Sequence, residues 1–122
     1  MRACVQYAVD YPDRCEGVCE ELDLFKLSKM TFYKPDYDAF PLLSLAKRAM
    51  ALGGAMPAVL NAADEVAVDA FLREKLSFLG ISEVVSEAFE KLSCMADCAS
   101  LDEIILADKE ARQVTNQIIK ER

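Results

Sequence analysis

A mainly α fold, an antiparallel four-helix bundle preceded by an extended arm with a short helix and short strands, is the class this sequence predicts. Three observations carry it. Between residues 38 and 122, four segments place apolar side chains at spacings of three and four, the period of one helical face. The links between those segments are short or moderate, and a short link forces consecutive helices to lie antiparallel. Residues 12 to 38, in contrast, hold two prolines, a glycine and no helical period. The division expected is an arm over 1 to 37 and a bundle over 38 to 122. With 122 residues, 53% of them hydrophobic, the chain has ample material for a core.

Residues 1 to 11 fit a short helix with Val5, Ala8 and Val9 inward. Pro12 stops it, because the residue before a proline avoids the helical region. Leu22, Leu24 and Leu27 alternate in part, and Met30-Thr-Phe-Tyr33 is β-branched and aromatic, so each is expected as a short edge strand. The arm is apolar for a loop and has few partners of its own to cover it.

The first bundle helix opens at Pro41, a good first-turn residue. Leu42, Leu45, Ala46, Ala49 and Leu52 line its inner face, and Gly53-Gly54 ends it with a left-handed cap. The chain is organised around the next helix, residues 57 to 72, which also begins on a proline. Leu60, Ala63, Ala67, Ala70 and Phe71 share one face and Val59 and Val66 widen it, so neighbours should cover it on more than one side. Phe71→Ala is expected to be the most damaging single change, about 3–5 kcal/mol if the ring is fully buried. Leu76, Phe78 and Ile81 should tuck the following link over the bundle end. Ser82 is the expected N-cap of the third helix, with Ile81, Val85, Ala88, Phe89 and Leu92 inward. After a loop over 93 to 99, Ser100-Leu-Asp-Glu103 forms a capping box. Ile104, Ala107, Ala111, Val114 and Ile118 then mark the last inner face, while Asp108, Arg112 and their charged neighbours read as a solvated face.

A net charge of −7 makes nucleic acid a poor partner. No apolar run approaches the roughly 18 residues of a membrane span, and no signal peptide is visible. Five cysteines and no histidine suit reduced thiols and a cytoplasmic home. Cys15-x3-Cys19 and Cys94-x3-Cys98 have spacings used for structural zinc, but the pairs stand far apart, so no metal is expected. Without histidine there is no imidazole base and no serine–histidine triad. Gly53-Gly54 is a cap, not a phosphate cradle. Ser44-Leu-Ala-Lys47 is too short to carry chemistry. The best polar constellation is Asn61, Asp64 and Glu65, set among apolar residues of the organising helix. It is expected as a buried structural network joining helix ends, with no catalytic, cofactor-binding or metal-binding residue in the chain.

Several stretches together resemble one family. They are Met1-Arg-x-x-Val-Gln-Tyr-Ala-x-x-Tyr-Pro12, Leu22-Asp-Leu-Phe-Lys-Leu27, Met30-Thr-Phe32, Pro35-Asp-Tyr-Asp-x-Phe-Pro41, Pro57-Ala-Val-Leu-Asn-Ala-Ala-Asp-Glu65, Ser77-Phe-Leu-Gly-Ile81 and Ala107-Asp-Lys-Glu-Ala-Arg112. Their order and spacing are similar to the C-terminal portion of 1-deoxy-D-xylulose 5-phosphate reductoisomerases, over essentially the whole chain. The resemblance implies a parent homodimer of the non-mevalonate isoprenoid route. That enzyme rearranges 1-deoxy-D-xylulose 5-phosphate and reduces the product with NADPH, assisted by Mg or Mn, to 2-C-methyl-D-erythritol 4-phosphate. It also implies that residues 1 to about 37 end the catalytic domain and form the linker, and that the NADPH, metal and substrate motifs lie upstream. The chain would then be an inactive fragment whose partners are the catalytic and dinucleotide-binding domains, and alone its arm would either fray before residue 30 or self-associate through residues 1 to 37. The family motif usually reads Asn-Ala-Ala-Asn-Glu, whereas Asp64 here replaces an amide that donates and accepts by a carboxylate that only accepts. The alternative reading is a freestanding acidic helical interaction module.

Overall fold

The computed structural model describes residues 1–97 and 100–122 and is mainly helical, with no strand among the described residues. The chain divides into two compact units, Met1–Lys34 and Pro35–Arg122.

In the first unit, α1 spans Arg2–Asp10 and stops at Tyr11, whose extended backbone precedes Pro12. Its expected inner face is not covered: Val5 is 55% and Val9 77% exposed. The side-chain amide of Gln6 holds the returning chain instead. It donates to the Glu16 carbonyl at 2.7 Å and accepts from the Val18 amide at 3.1 Å. The two expected strands do not form. Leu24–Leu27 is a single helical turn, α2, because the Asp23 carboxylate accepts from the amides of Phe25 and Lys26 and closes an N-cap. Met30–Tyr33 is without regular structure. Two runs this short had no ladder to join, and a local carboxylate cap outcompeted partial alternation.

The second unit opens with an Asx turn, in which Asp36 accepts from the amides of Asp38 and Ala39. It leads into α3, Pro41–Leu52, with its proline in the first turn. Gly53 takes φ +73° and donates its amide to the Ala49 carbonyl, the left-handed stop the two glycines allow. Next, α4 spans Met56–Leu72. It packs on α3, on α5 (Phe78–Lys91) and on α6 (Leu101–Lys120). Small side chains make that central role possible. Ala63, Ala67 and Ala70 are buried on one face of α4 and Ala62 on the flank beside it, and they let neighbouring backbones approach closely. Met56 and Val59 fill the space near its start, while Val84, Val85 and Phe89 of α5 supply the bulk. Along α6, Ala107, Ala111, Thr115 and Ile118 form the inner stripe. Thr115 is the one buried polar residue of that stripe, and its hydroxyl donates to the Ala111 carbonyl at 2.6 Å.

Four local expectations change. The cap of α5 is Ser77, not Ser82: the Ser77 hydroxyl accepts from the Gly80 amide at 3.0 Å, and Ser82 lies inside the helix, donating to the Leu79 carbonyl. Gly80 permits this early start, since a Cβ there would lie 2.8 Å from Leu76 Cδ1. Phe71 is half-buried, whereas Phe89 is fully buried and takes the place of the critical aromatic. Phe78 stays exposed and meets Phe71 edge-on at 5.8 Å, while Leu76 and Ile81 do pack inward. A short 3-10 helix, Ser93–Asp97, occupies the start of the expected loop, and its Met95 carbonyl accepts from the Ala55 amide. The Ser100–Glu103 capping box forms as expected at the start of α6.

Candidate functional site

The three singled-out residues of α4 separate into two groups. Asn61 and Glu65 lie one turn apart and exposed, and the Asn61 amide donates to Glu65 Oε1 at 3.1 Å. The second Glu65 oxygen accepts from Arg112 of α6 at 2.8 Å. Arg112 also forks onto Asp108, one turn earlier on its own helix, through Nε at 2.9 Å and Nη2 at 3.1 Å. The result is a surface staple between α4 and α6, with a guanidinium shared by two carboxylates. Asp64 belongs to neither bond. It is half-buried in the wall of a groove between α3 and α4, where Asn61 also lies.

The electrostatics follow from those positions. Hydrogen bonds from Arg112 and then Asn61 hold the Glu65 carboxyl below its ordinary value, and Arg112 does the same for Asp108. Asp108 and Glu65 in turn push the guanidinium of Arg112 up. Burial pushes the Asp64 carboxyl up, and the negative charge of Glu65 adds to it. A carboxylate with both oxygens engaged and a lowered pKa is a poor proton acceptor. Arg112 was the member that sequence reasoning missed, because it reads as part of a solvated face. The available signal was the Asp108–Arg112 spacing of one turn.

Other cross-helix charges have the same character. Arg48 of α3 pairs with Glu90 of α5 and lies over the Phe89 ring at 5.3 Å. Arg122 reaches Glu83 and Glu87 of α5. Among the described residues no group of Asp, Glu and Cys side chains is placed to hold a metal ion. Cys15, Cys19 and Cys94 are exposed, and the Cys94-x3-Cys98 pair cannot be followed because Cys98 lies outside the described residues. No helix among the described residues is long and apolar enough to cross a membrane.

A family model, DXP reductoisomerase C-terminal domain, matches residues 1–114. The chain belongs to that family. The 1-deoxy-D-xylulose 5-phosphate reductoisomerase of Acetivibrio thermocellus is 44% identical over 120 residues, covering 98% of this chain and 31% of that protein. Its counterpart in Caldanaerobacter subterraneus subsp. tengcongensis is 49% identical over 115 residues, 93% of this chain and 30% of that protein. Among solved structures, the reductoisomerase from Zymomonas mobilis in complex with NADPH superposes with a TM-score of 0.81 at 38% identity, covering 96% of this chain and 31% of that one. A DOX-P reductoisomerase in complex with magnesium also gives a TM-score of 0.81, at 31% identity and 95% coverage of this chain. The chain therefore spans about a third of the length of the DXP reductoisomerases it matches, 31% of the first. Membership in this family does not favour the freestanding interaction module.

Proposed function

We propose that this chain is the supporting C-terminal portion of a 1-deoxy-D-xylulose 5-phosphate reductoisomerase, and does no chemistry alone. The observation that carries the proposal is the family match over residues 1–114 in a chain that spans 31% of a full-length relative. In this reading, residues 1–37 end the catalytic domain and form the linker, and residues 38–122 form an antiparallel four-helix bundle. The packing of α4 on three other helices supports that bundle. The parent is a cytoplasmic homodimer that converts 1-deoxy-D-xylulose 5-phosphate to 2-C-methyl-D-erythritol 4-phosphate with NADPH and Mg or Mn. The chain's own residues do not fit those cofactors. It has no glycine-rich phosphate loop, and its described acids do not gather into a metal site. In this reading the cofactors are held by the remainder of the parent.

Asn61 and Glu65 act structurally, through Arg112, and Asp64 takes no part in catalysis. Self-association through residues 1–37 is supported by the exposure of Val5, Val9, Phe25, Phe32 and Tyr33.

The test is complementation. Mixed with the upstream remainder of the Acetivibrio thermocellus reductoisomerase, substrate, NADPH and Mg²⁺, the chain is expected to restore NADPH oxidation that neither part supports alone. Oxidation by this chain alone overturns the assignment of the chemistry elsewhere. An active upstream part that gains nothing from the chain overturns the supporting role.

A further inference from the structure

The groove beside Asp64 has a shape and a charge that the α4–α6 staple does not use. It encloses about 470 Å³ and lies open to solvent. Leu42, Ala46 and Met50 line it from α3, and Pro57, Leu60, Asn61 and Asp64 from α4. On each helix these residues recur one turn apart over about two turns, roughly 10–12 Å. A trough of that length between two helical ridges is the seat of a third helix, read through anchors at i, i+3, i+4 and i+7.

Its polar atoms specify a cation. Glu65 can only accept, so the Asn61 atom facing it is the NH₂ group, which leaves the Asn61 carbonyl oxygen as a free acceptor. Asp64 forms no hydrogen bond or ion pair with a described residue, and no lysine or arginine lines the groove. Two acceptors thus stand in an apolar trough with no donor supplied. Any occupant that fills it without a cation leaves a carboxylate desolvated and unpaired, which is costly. The chain's net charge of −7 further favours a basic partner, and disfavours an anionic lipid surface.

We propose that this groove binds about two turns of an amphipathic helix from a partner protein. Its apolar side chains fill the trough, and a lysine or arginine set between them pairs with Asp64 and donates to the Asn61 carbonyl. Burial already pushes the Asp64 carboxyl up, the mark of a charge short of solvent and of a counter-ion. The inference rests on the groove itself, not on which enzyme the chain completes.

Helical peptides of about 14 residues with one shared apolar face, differing only in a central Lys, norleucine or Glu, test it. Each is titrated into the isotopically labelled 122-residue chain, and backbone amide shifts are followed by NMR. The Lys peptide is expected to shift amides of α3 and α4 along the groove and to bind about tenfold more tightly than the norleucine peptide, with the Glu peptide weakest. Asp64→Asn should abolish the preference for Lys. Met50→Gln, at a rim position 75% exposed, should weaken all three peptides and leave the preference intact. Equal binding by the three peptides, a Lys preference that survives Asp64→Asn, shifts confined to other surfaces, or no binding at millimolar peptide would each overturn the proposal.

Discussion

Residues 1–34 and residues 35–122 are both rich in apolar side chains, yet only the second stretch buries any. Met56, Val59, Val84, Val85 and Phe89 are fully covered in the second unit, while Phe25, Phe32 and Tyr33 of the first are each more than four-fifths exposed. The difference is one of period and length, not of hydrophobic content. Helices α3 to α6 run 12 to 20 residues and repeat their apolar positions every turn, so each has a face to bury. Helix α1 runs nine residues and α2 four, too short to persist alone, and what organises them is polar: the Gln6 amide and the Asp23 carboxylate. Apolar composition gives a core only where the pattern lets several segments share it.

Hydrogen exchange breaks or sharpens this contrast most directly. Amides of α4 are expected to exchange only through global unfolding, at a free energy on the order of 5–10 kcal/mol, while those of α1 open locally at close to zero. Comparable protection in both would mean that α1 draws stability from contacts beyond its own hydrogen bonds. Substitution follows as a smaller effect. Phe89→Ala should lower unfolding stability by about 3–5 kcal/mol. Phe71→Ala, on a half-buried ring, should cost about 1–2 kcal/mol. Val9→Ala in α1 should stay within about 0.5 kcal/mol. Denaturant titration measures all three, and a Phe71 loss equal to that of Phe89 would undo the ranking.

Caps give a finer version of the comparison. The Ser100 box starts a 20-residue helix whose inner stripe is buried, so Ser100→Ala should cost about 1 kcal/mol. The Asp23 cap has similar geometry but starts a single turn that buries nothing, so Asp23→Ala should move global stability by less than about 0.5 kcal/mol. Equal losses would show that α2 is coupled to the core after all.

The same contrast explains what was legible in the sequence. The inner faces of α3, α5 and α6 follow from spacing alone, because Leu45, Ala49, Val85, Phe89, Ala107, Ala111 and Ile118 repeat with the helical period. The start of α5 was harder, since Ser77 and Ser82 both suit a cap. The choice falls to Gly80 and the closeness of Leu76, a local contact that the apolar spacing alone does not carry. The arm misled because partial alternation at Leu22, Leu24 and Leu27 looks like strand until Asp23 is seen capping a turn. At the polar site, Asn61 and Glu65 were visible as a pair one turn apart. Arg112 enters from 47 positions away, and a partner at that separation leaves no trace in the spacing of α4.

The smallest expected effect concerns that long-range contact and acid. Glu65 and Asp108 have carboxyls held below their ordinary values of 4.5 and 3.8, chiefly by Arg112. A depressed folded-state pKa contributes stability that is fully present above the unfolded value and is lost as pH falls through the folded one. Asp64 works in the opposite direction. Its raised carboxyl binds a proton more tightly in the folded state, so protonating it adds stability as pH falls towards its ordinary value of 3.8. Both Glu65 and Asp108 are solvent-facing, so screening keeps the acid loss small, and salt should reduce it further. Arg112→Met should flatten the fall in stability below about pH 4.5 by removing the cation that both acids share. Asp64→Asn should raise stability at neutral pH and make the acid fall steeper, because the opposing group is gone. Denaturant midpoints measured from neutral pH down to about pH 3 distinguish the two variants by the sign of their change in slope. An Arg112→Met profile parallel to that of the unmodified chain would mean that the staple contributes no acid-sensitive stability, and that α4 and α6 are held together by their alanine-lined contact alone.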